Sequence, residues 1–186
     1  MRGSHRLITV LLLATTAMLP RMAVGQSAVQ RVSVTVSPIV VMAVFGDPAP
    51  MILSTGTTGS ALDRSSFYNL TTNVENVRLT AEIDMPMPAG THLVLSAETT
   101  IGISSGSVEV SKATSPTNLV SSISRGLENG QRLTYAFSSE ASSVEIPFQS
   151  RTITLTLVDP ATLKSSQMVQ TVFFGVTATG VTSSAR

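Results

Sequence analysis

Side chains that perform catalysis in most enzymes are sparse in this sequence. It contains two histidines, His5 and His92, and no cysteine among its 186 residues. His92 could on paper serve a Ser–His–Asp triad. It lies between Thr91 and Leu93 in an alternating pattern, however, on the side opposite to the apolar positions. Because successive strand residues face opposite ways, we interpret His92 as a solvent-facing strand residue and not as a general base.

Carboxylates are the next candidates, since a pair of them can hydrolyse a glycosidic bond. They are scattered along the chain without a repeated spacing: Glu75, Glu82, Asp84, Glu98, Glu109 and Glu128. Calcium requires several converging oxygens, and only Glu82 and Asp84 approach such a pattern. No glycine-rich loop follows a strand and opens a helix to hold a nucleotide phosphate. We therefore expect no catalytic residue, no metal, no cofactor and no nucleotide, and a protein that is not an enzyme.

Aromatic residues could stack on sugars, but they form only 4% of the chain and include no tryptophan. They occur in three close pairs, for which core packing is the favoured interpretation: Phe67 and Tyr68, Tyr135 and Phe137, Phe173 and Phe174.

The segment around which the rest of the chain is expected to be organised covers residues 29–45. Val32, Val34 and Val36 alternate with Ser33 and Thr35, which predicts a half-buried strand. Pro38 cannot donate to a ladder, so the strand should bend, end or lie at an edge there. Residues 39–45 are apolar throughout, which predicts a strand covered on both faces. Something has to cover this apolar segment, either the rest of the chain or another molecule.

The first 25 residues have the pattern of a secretory signal peptide. A basic start precedes a short apolar run, and Ala23-Val24-Gly25 has the small-x-small form of a cleavage site before Gln26. Without this leader, nine basic residues face eleven acidic ones, a net charge of −2. We expect secretion or a cell-surface location, no membrane span after cleavage, and no basic patch for nucleic acid.

Residues 26–186 are predicted to form a single domain. Further strands are indicated over residues 51–53, 66–72, 77–83, 91–97, 107–111, 119–124, 131–138, 151–158 and 168–179. Asn129-Gly130 has the composition of a tight hairpin turn. Charged residues form 12% of the chain, about half the usual ~25%. We predict an all-β protein, an antiparallel β-sandwich of the immunoglobulin-like type with about eight to ten strands.

Four stretches resemble a group of uncharacterised bacterial secreted all-β proteins of similar length: residues 68–73, 79–84, 87–93 and 151–157. More loosely, the chain looks like the pilus-like subunits of extracellular filaments that polymerise by donor-strand exchange. That resemblance implies that an N-terminal strand completes the sandwich of a neighbouring subunit. Chaperone–usher pilins usually carry a disulfide, which this chain lacks.

Two functions of different classes follow. The first is a structural subunit of an extracellular filament or surface assembly, with itself as partner. Its N-terminal strand, residues 28–45, would then be the donor strand, with subunit-interface residues Val29, Val32, Val34, Val36, Ile39 and Val41. The alternative is a monomeric secreted binding or adhesion module that recognises carbohydrate or a surface partner through its loops.

Overall fold

The computed structural model describes residues 31–56, 59–140 and 145–178. The chain forms two compact units, Met1–Thr35 and Val36–Arg186. In the first unit, the described residues 31–35 are exposed and belong to no strand. The predicted signal peptide, its cleavage site and Val29 lie outside the described residues.

The second unit is built from strands, and its described residues include no helix. The described part of the chain forms twelve strands, of which two have only two residues: β1 (Val40–Phe45), β2 (Met51–Ser54), β3 (Gly59–Asp63), β4 (Phe67–Thr72), β5 (Val77–Ile83), β6 (Thr91–Ala97), β7 (Ile103–Ser104), β8 (Val108–Glu109), β9 (Thr117–Ile123), β10 (Gly126–Ser139), β11 (Ile146–Val158) and β12 (Ser165–Thr177).

Two sheets make up the sandwich, which confirms the predicted fold class. Sheet 1 has the order β1-β4-β10-β6-β8, and β3 pairs with the second half of β10. Sheet 2 has the order β2-β12-β11-β5-β9-β7. All pairs are antiparallel except β2 with β12, so sheet 2 is mixed.

Alternation along the strands creates the core. In β6 every second residue is buried, and β5 and β11 repeat the pattern. Phe137 of sheet 1 and Phe174 of sheet 2 meet across the sandwich with their ring centroids 5.2 Å apart. Among the described residues, the fully buried apolar side chains of both sheets include Leu70, Leu93, Leu95, Leu79, Leu133, Ile153, Leu155 and Leu157.

The predicted hairpin at Asn129-Gly130 is wrong. Both residues lie inside β10, where the pairing with β4 shifts register between Glu128 and Gln131. Gly130 has φ +65°, and its N–H donates to Oδ1 of Asn69 at 2.7 Å. A glycine with positive φ suits a β-bulge as well as a turn, so the dipeptide signal did not distinguish the two.

The predicted N-terminal strand is also shorter than expected. It begins at Val40, and residues 31–39 form no strand. Within β1, Val40 and Met42 are buried while Val41 and Phe45 are exposed, so the expectation that both faces are covered is wrong. Since only the inner face of sheet 1 packs on sheet 2, the outer face of β1 is open to solvent. The parts of the chain that the structure describes contain no helix long and apolar enough to cross a membrane.

Candidate functional site

Residues 31–39, here called the N-terminal segment, carry apolar side chains that the single chain leaves in water. Val32 is 76% exposed, Val34 78% and Val36 71%. Burial of one such side chain is worth about 1.5–3 kcal/mol. In the single chain, the free energy that burial of these side chains would contribute is therefore not gained.

Two other predicted interface residues lie where the chain enters sheet 1. Ile39 directly precedes β1 and is about half exposed. Val41 lies in β1 opposite Thr71 of β4 and faces outward. The structure thus pairs Val41 within its own chain and leaves Val32, Val34 and Val36 outside any strand. Their assignment as a subunit interface stays a prediction.

Asn73, directly after β4, fixes the point at which the N-terminal segment joins the sheet. Its side-chain oxygen accepts from the N–H of Ile39 at 2.7 Å, and its amide nitrogen donates to the carbonyl of Ser37 at 2.9 Å. The ammonium group of Lys164 donates to the carbonyl of Pro38 at 3.2 Å. Residues 37–39 are therefore held by side chains and not by a strand ladder.

Side chains of β12 also cover the free edge of β1. The hydroxyl of Ser166 accepts from the N–H of Met42 at 3.1 Å. The side chain of Gln170 donates to the carbonyl of Gly46, just after β1, at 2.6 Å. β1 is thus held by a ladder to β4 on one side and by these bonds on the other. β1 therefore has hydrogen bonds along both of its edges, whereas the described residues 31–36 belong to no strand.

An apolar strip lies on the outer face of sheet 1 beside this junction. The rings of Phe45 and Phe67 stack with centroids 5.5 Å apart, and Val41 and Leu127 are more than half exposed. A second stacked pair, Phe148 and Phe173, is partly exposed on sheet 2. The other aromatic residues singled out in the sequence are core residues: Tyr68, Tyr135, Phe137 and Phe174.

A buried cluster of hydrogen-bonded polar residues connects the two sheets. The hydroxyl of Tyr135 donates to Gln170 at 2.5 Å, and the Gln170 amide reaches the carbonyl of Gly46 and, at 3.2 Å, the hydroxyl of Ser66. Burial raises the pKa of Tyr135 well above its usual range, with a further contribution from Asp63. The phenol therefore stays protonated and acts as a donor. Sequence reasoning missed this group because its members lie far apart in the chain.

Glu128 is a buried carboxylate, but its contacts are structural. One oxygen accepts from the N–H groups of Thr100 and Ile101, and the threonine hydroxyls of Thr99 and Thr100 also donate to the carboxylate. These bonds hold the loop after β6 against β10.

His92 contacts two carboxylates on the surface. Its Nδ1 lies 2.8 Å from Oε1 of Glu109, and its Nε2 lies 3.8 Å from Oε1 of Glu140. The hydrogen bond from His92 is the largest of the effects that lower the pKa of Glu109. All three side chains are about half exposed, and no Ser–His–Asp arrangement forms here. In the part of the chain that the structure describes, no group of three or more His, Asp or Glu side chains could hold a metal.

Comparison with known proteins identifies no family. No protein-family model matches the chain, and no curated protein does.

Several solved structures match by shape alone. One, described as "AvmM Catalyzes Macrocyclization in Alchivemycin A Biosynthesis", has 11% identity and a TM-score of 0.36, covering 78% of this chain and 92% of that one. A family 123 glycoside hydrolase from Clostridium perfringens has 10% identity and a TM-score of 0.35, covering 75% of this chain and 28% of the other.

A third match is AggA, the major subunit of aggregative adherence fimbriae type I from Escherichia coli. It has 11% identity and a TM-score of 0.35, and the match covers 79% of this chain and all of AggA. What defines the class of the present protein is its own architecture, an all-β sandwich of two sheets.

Proposed function

We propose that this protein is a non-enzymatic structural subunit of an extracellular filament or surface assembly. Copies associate when the N-terminal segment of one adds as a strand to another. The observation that supports this most directly is the exposure of Val32, Val34 and Val36 at strand spacing, in a segment that enters no sheet of its own chain.

Strand addition suits this segment physically. Backbone groups of an added strand pair along a whole sheet edge, while alternate side chains enter pockets. Burial of the three valines is worth about 4–9 kcal/mol before the entropic cost of association. Ser33 and Thr35 on the opposite side of the strand can stay in water. The link requires no disulfide, which fits a chain without cysteine.

The geometry of such an assembly is open-ended. A segment donated by one copy and received elsewhere on the next is a head-to-tail contact, which forms a filament where the rotation does not close. Asn73 and Lys164 hold residues 37–39 in place, so each copy would present its segment from the same point of its sheet. The proposed secretion follows from the leader pattern in residues 1–25.

The test is a triple variant, Val32→Asp, Val34→Asp and Val36→Asp, in the full-length secreted protein. A matched control carries Ser33→Asp and Thr35→Asp, which adds charge to the same segment on its polar side. We expect assemblies by electron microscopy and light scattering in the wild type and the control, and monomers in the valine variant. A wild type that is monomeric at all concentrations, or a valine variant that assembles normally, would contradict the proposal.

A further inference from the structure

A cavity of about 390 Å³ opens on the outer face of sheet 1. It spans β3, β10 and β6, and the strand register arranges its lining in rows. Leu62, Ala136 and Val94 are opposite one another and form an apolar row. Thr134 and Ser96 are the next pair and form a hydroxyl row. The floor thus changes from apolar to polar along the strands.

Charged side chains form the last row and one wall. Arg132 precedes Thr134 by two residues on β10, and its carbonyl accepts from the N–H of Glu98 at 2.9 Å. Arg64, directly after β3, also lines the cavity, as does Ser107 before β8. The hollow exists because Ala136, Thr134 and Ser96 have short side chains, whereas the surrounding Leu62, Arg64 and Arg132 have long ones.

The two guanidinium groups have no acidic partner. All eleven Asp and Glu residues of the chain lie in its described part, and none is within salt-bridge distance of Arg64 or Arg132. Glu98 also lines the cavity, so the lining carries one net positive charge. Elsewhere charged residues are few, and the chain without its leader is acidic. A cavity with this sign of charge favours an anion.

We propose that this cavity binds a carboxylated saccharide, an activity separate from assembly. A guanidinium group forms paired hydrogen bonds with a carboxylate. Hydroxyl groups of Ser96, Thr134 and Ser107 match sugar hydroxyls, and Glu98 accepts from them. The apolar row offers a surface for the C–H face of a sugar ring. No aromatic residue lines the cavity, so the stacking platform that nucleic-acid bases require is absent from it.

The probe is trigalacturonate, titrated by calorimetry into the full-length protein, with the uncharged trisaccharide galactotriose as its control. We expect saturable binding of the acid, weakened by added salt, and none of galactotriose. Arg64→Gln and Arg132→Gln should each weaken binding about tenfold or more. Arg78→Gln, an exposed arginine on β5 of the other sheet, should bind as the wild type does.

A second variant tests whether binding requires the open volume of the cavity, without changing its charge. Ala136→Leu fills the floor from the outer face and should remove binding while the melting temperature stays near that of the wild type. Absence of saturable binding by the folded wild type would overturn the proposal. Equal binding of both trisaccharides, or equal losses in the Arg78→Gln and Arg132→Gln variants, would overturn it as well.

Discussion

Tyr135 on β10 and Gln170 on β12 are joined by a hydrogen bond of 2.5 Å, although they belong to different sheets. Both side chains are buried, and the Gln170 amide continues to the carbonyl of Gly46 at the end of β1. This polar contact inside an apolar core connects three strands. Because an unpaired polar group would be costly here, it favours one relative placement of the two sheets.

We expect Tyr135→Phe to lower the free energy of unfolding by about 1–3 kcal/mol, since Gln170 loses a buried donor. Combined with Gln170→Leu, the loss should be smaller than the sum of the two single losses. Urea denaturation of the four proteins of this cycle measures the coupling. Thr154→Val, on the outer face of β11, should change stability by less than about 0.5 kcal/mol. Strict additivity would show that the hydrogen bond contributes nothing.

A second prediction concerns Glu128. Glu128→Met would remove the oxygen that accepts from the backbone N–H groups of Thr100 and Ile101. We expect a loss of about 2–4 kcal/mol in the free energy of unfolding, because donors to a charged group would lose their acceptor. Thermal and urea unfolding measure it, with Glu145→Met at an exposed position as control. If the two variants unfold alike, the loop after β6 does not depend on this carboxylate.

The third prediction contrasts two glycines with nearly equal dihedral angles. Gly46 has φ +73° and Gly56 has φ +74°, so alanine is strained at both. A Cβ at Gly46 would lie 2.7 Å from the carbonyl oxygen of Ser65, whereas one at Gly56 would meet nothing within 4 Å. We expect Gly56→Ala to cost about 1 kcal/mol and Gly46→Ala clearly more, as measured by urea unfolding. Equal costs would mean that the backbone near Ser65 moves aside.

The fourth prediction is a pH dependence at Glu109. His92 holds the folded-state pKa of this carboxyl below its ordinary value of 4.5. A lowered folded-state pKa means that the pair stabilises the fold above that ordinary value and that this contribution is lost as the pH falls through the lowered one. Carbon-detected NMR titration should place the pKa of Glu109 below 4.5 in the wild type and nearer to it in His92→Gln.

Glu75 supplies an internal control for that titration. Its pKa is also lowered, chiefly by the hydrogen bond from Arg125. It should therefore not change in the His92→Gln variant. A Glu109 titration that is the same with and without His92 would show that the pair does not form in solution.

Strands with strict alternation were predictable from sequence. Residues 91–97 and 77–83 were identified with the bounds that β6 and β5 have in the structure. Their apolar residues recur at every second position, and one face of each strand is buried in the core. The short strands β3 and β7 were missed because residues 59–63 and 103–104 lie in glycine-containing stretches without that alternation.

The N-terminal segment shows that an alternating sequence pattern does not by itself determine whether a segment is buried. Val32, Val34 and Val36 have the same alternation as a buried strand, yet in the single chain they are exposed. Pro38 has no backbone N–H to donate. The residues on either side of it, Ser37 and Ile39, form hydrogen bonds with the side chain of Asn73 and not with a strand. The pattern predicts a strand, but in the single chain the described residues 31–36 belong to none.

Composition and periodicity alone determined an all-β chain with few charges, because burial of alternate side chains leaves a direct record in the sequence. Only the tertiary structure decided that Asn129-Gly130 is a bulge, that Tyr135 meets Gln170, and that Arg64 and Arg132 line one cavity. Each of these depends on the pairing of strands distant in sequence. Such pairings are set by the packing of the whole sandwich and leave no local pattern.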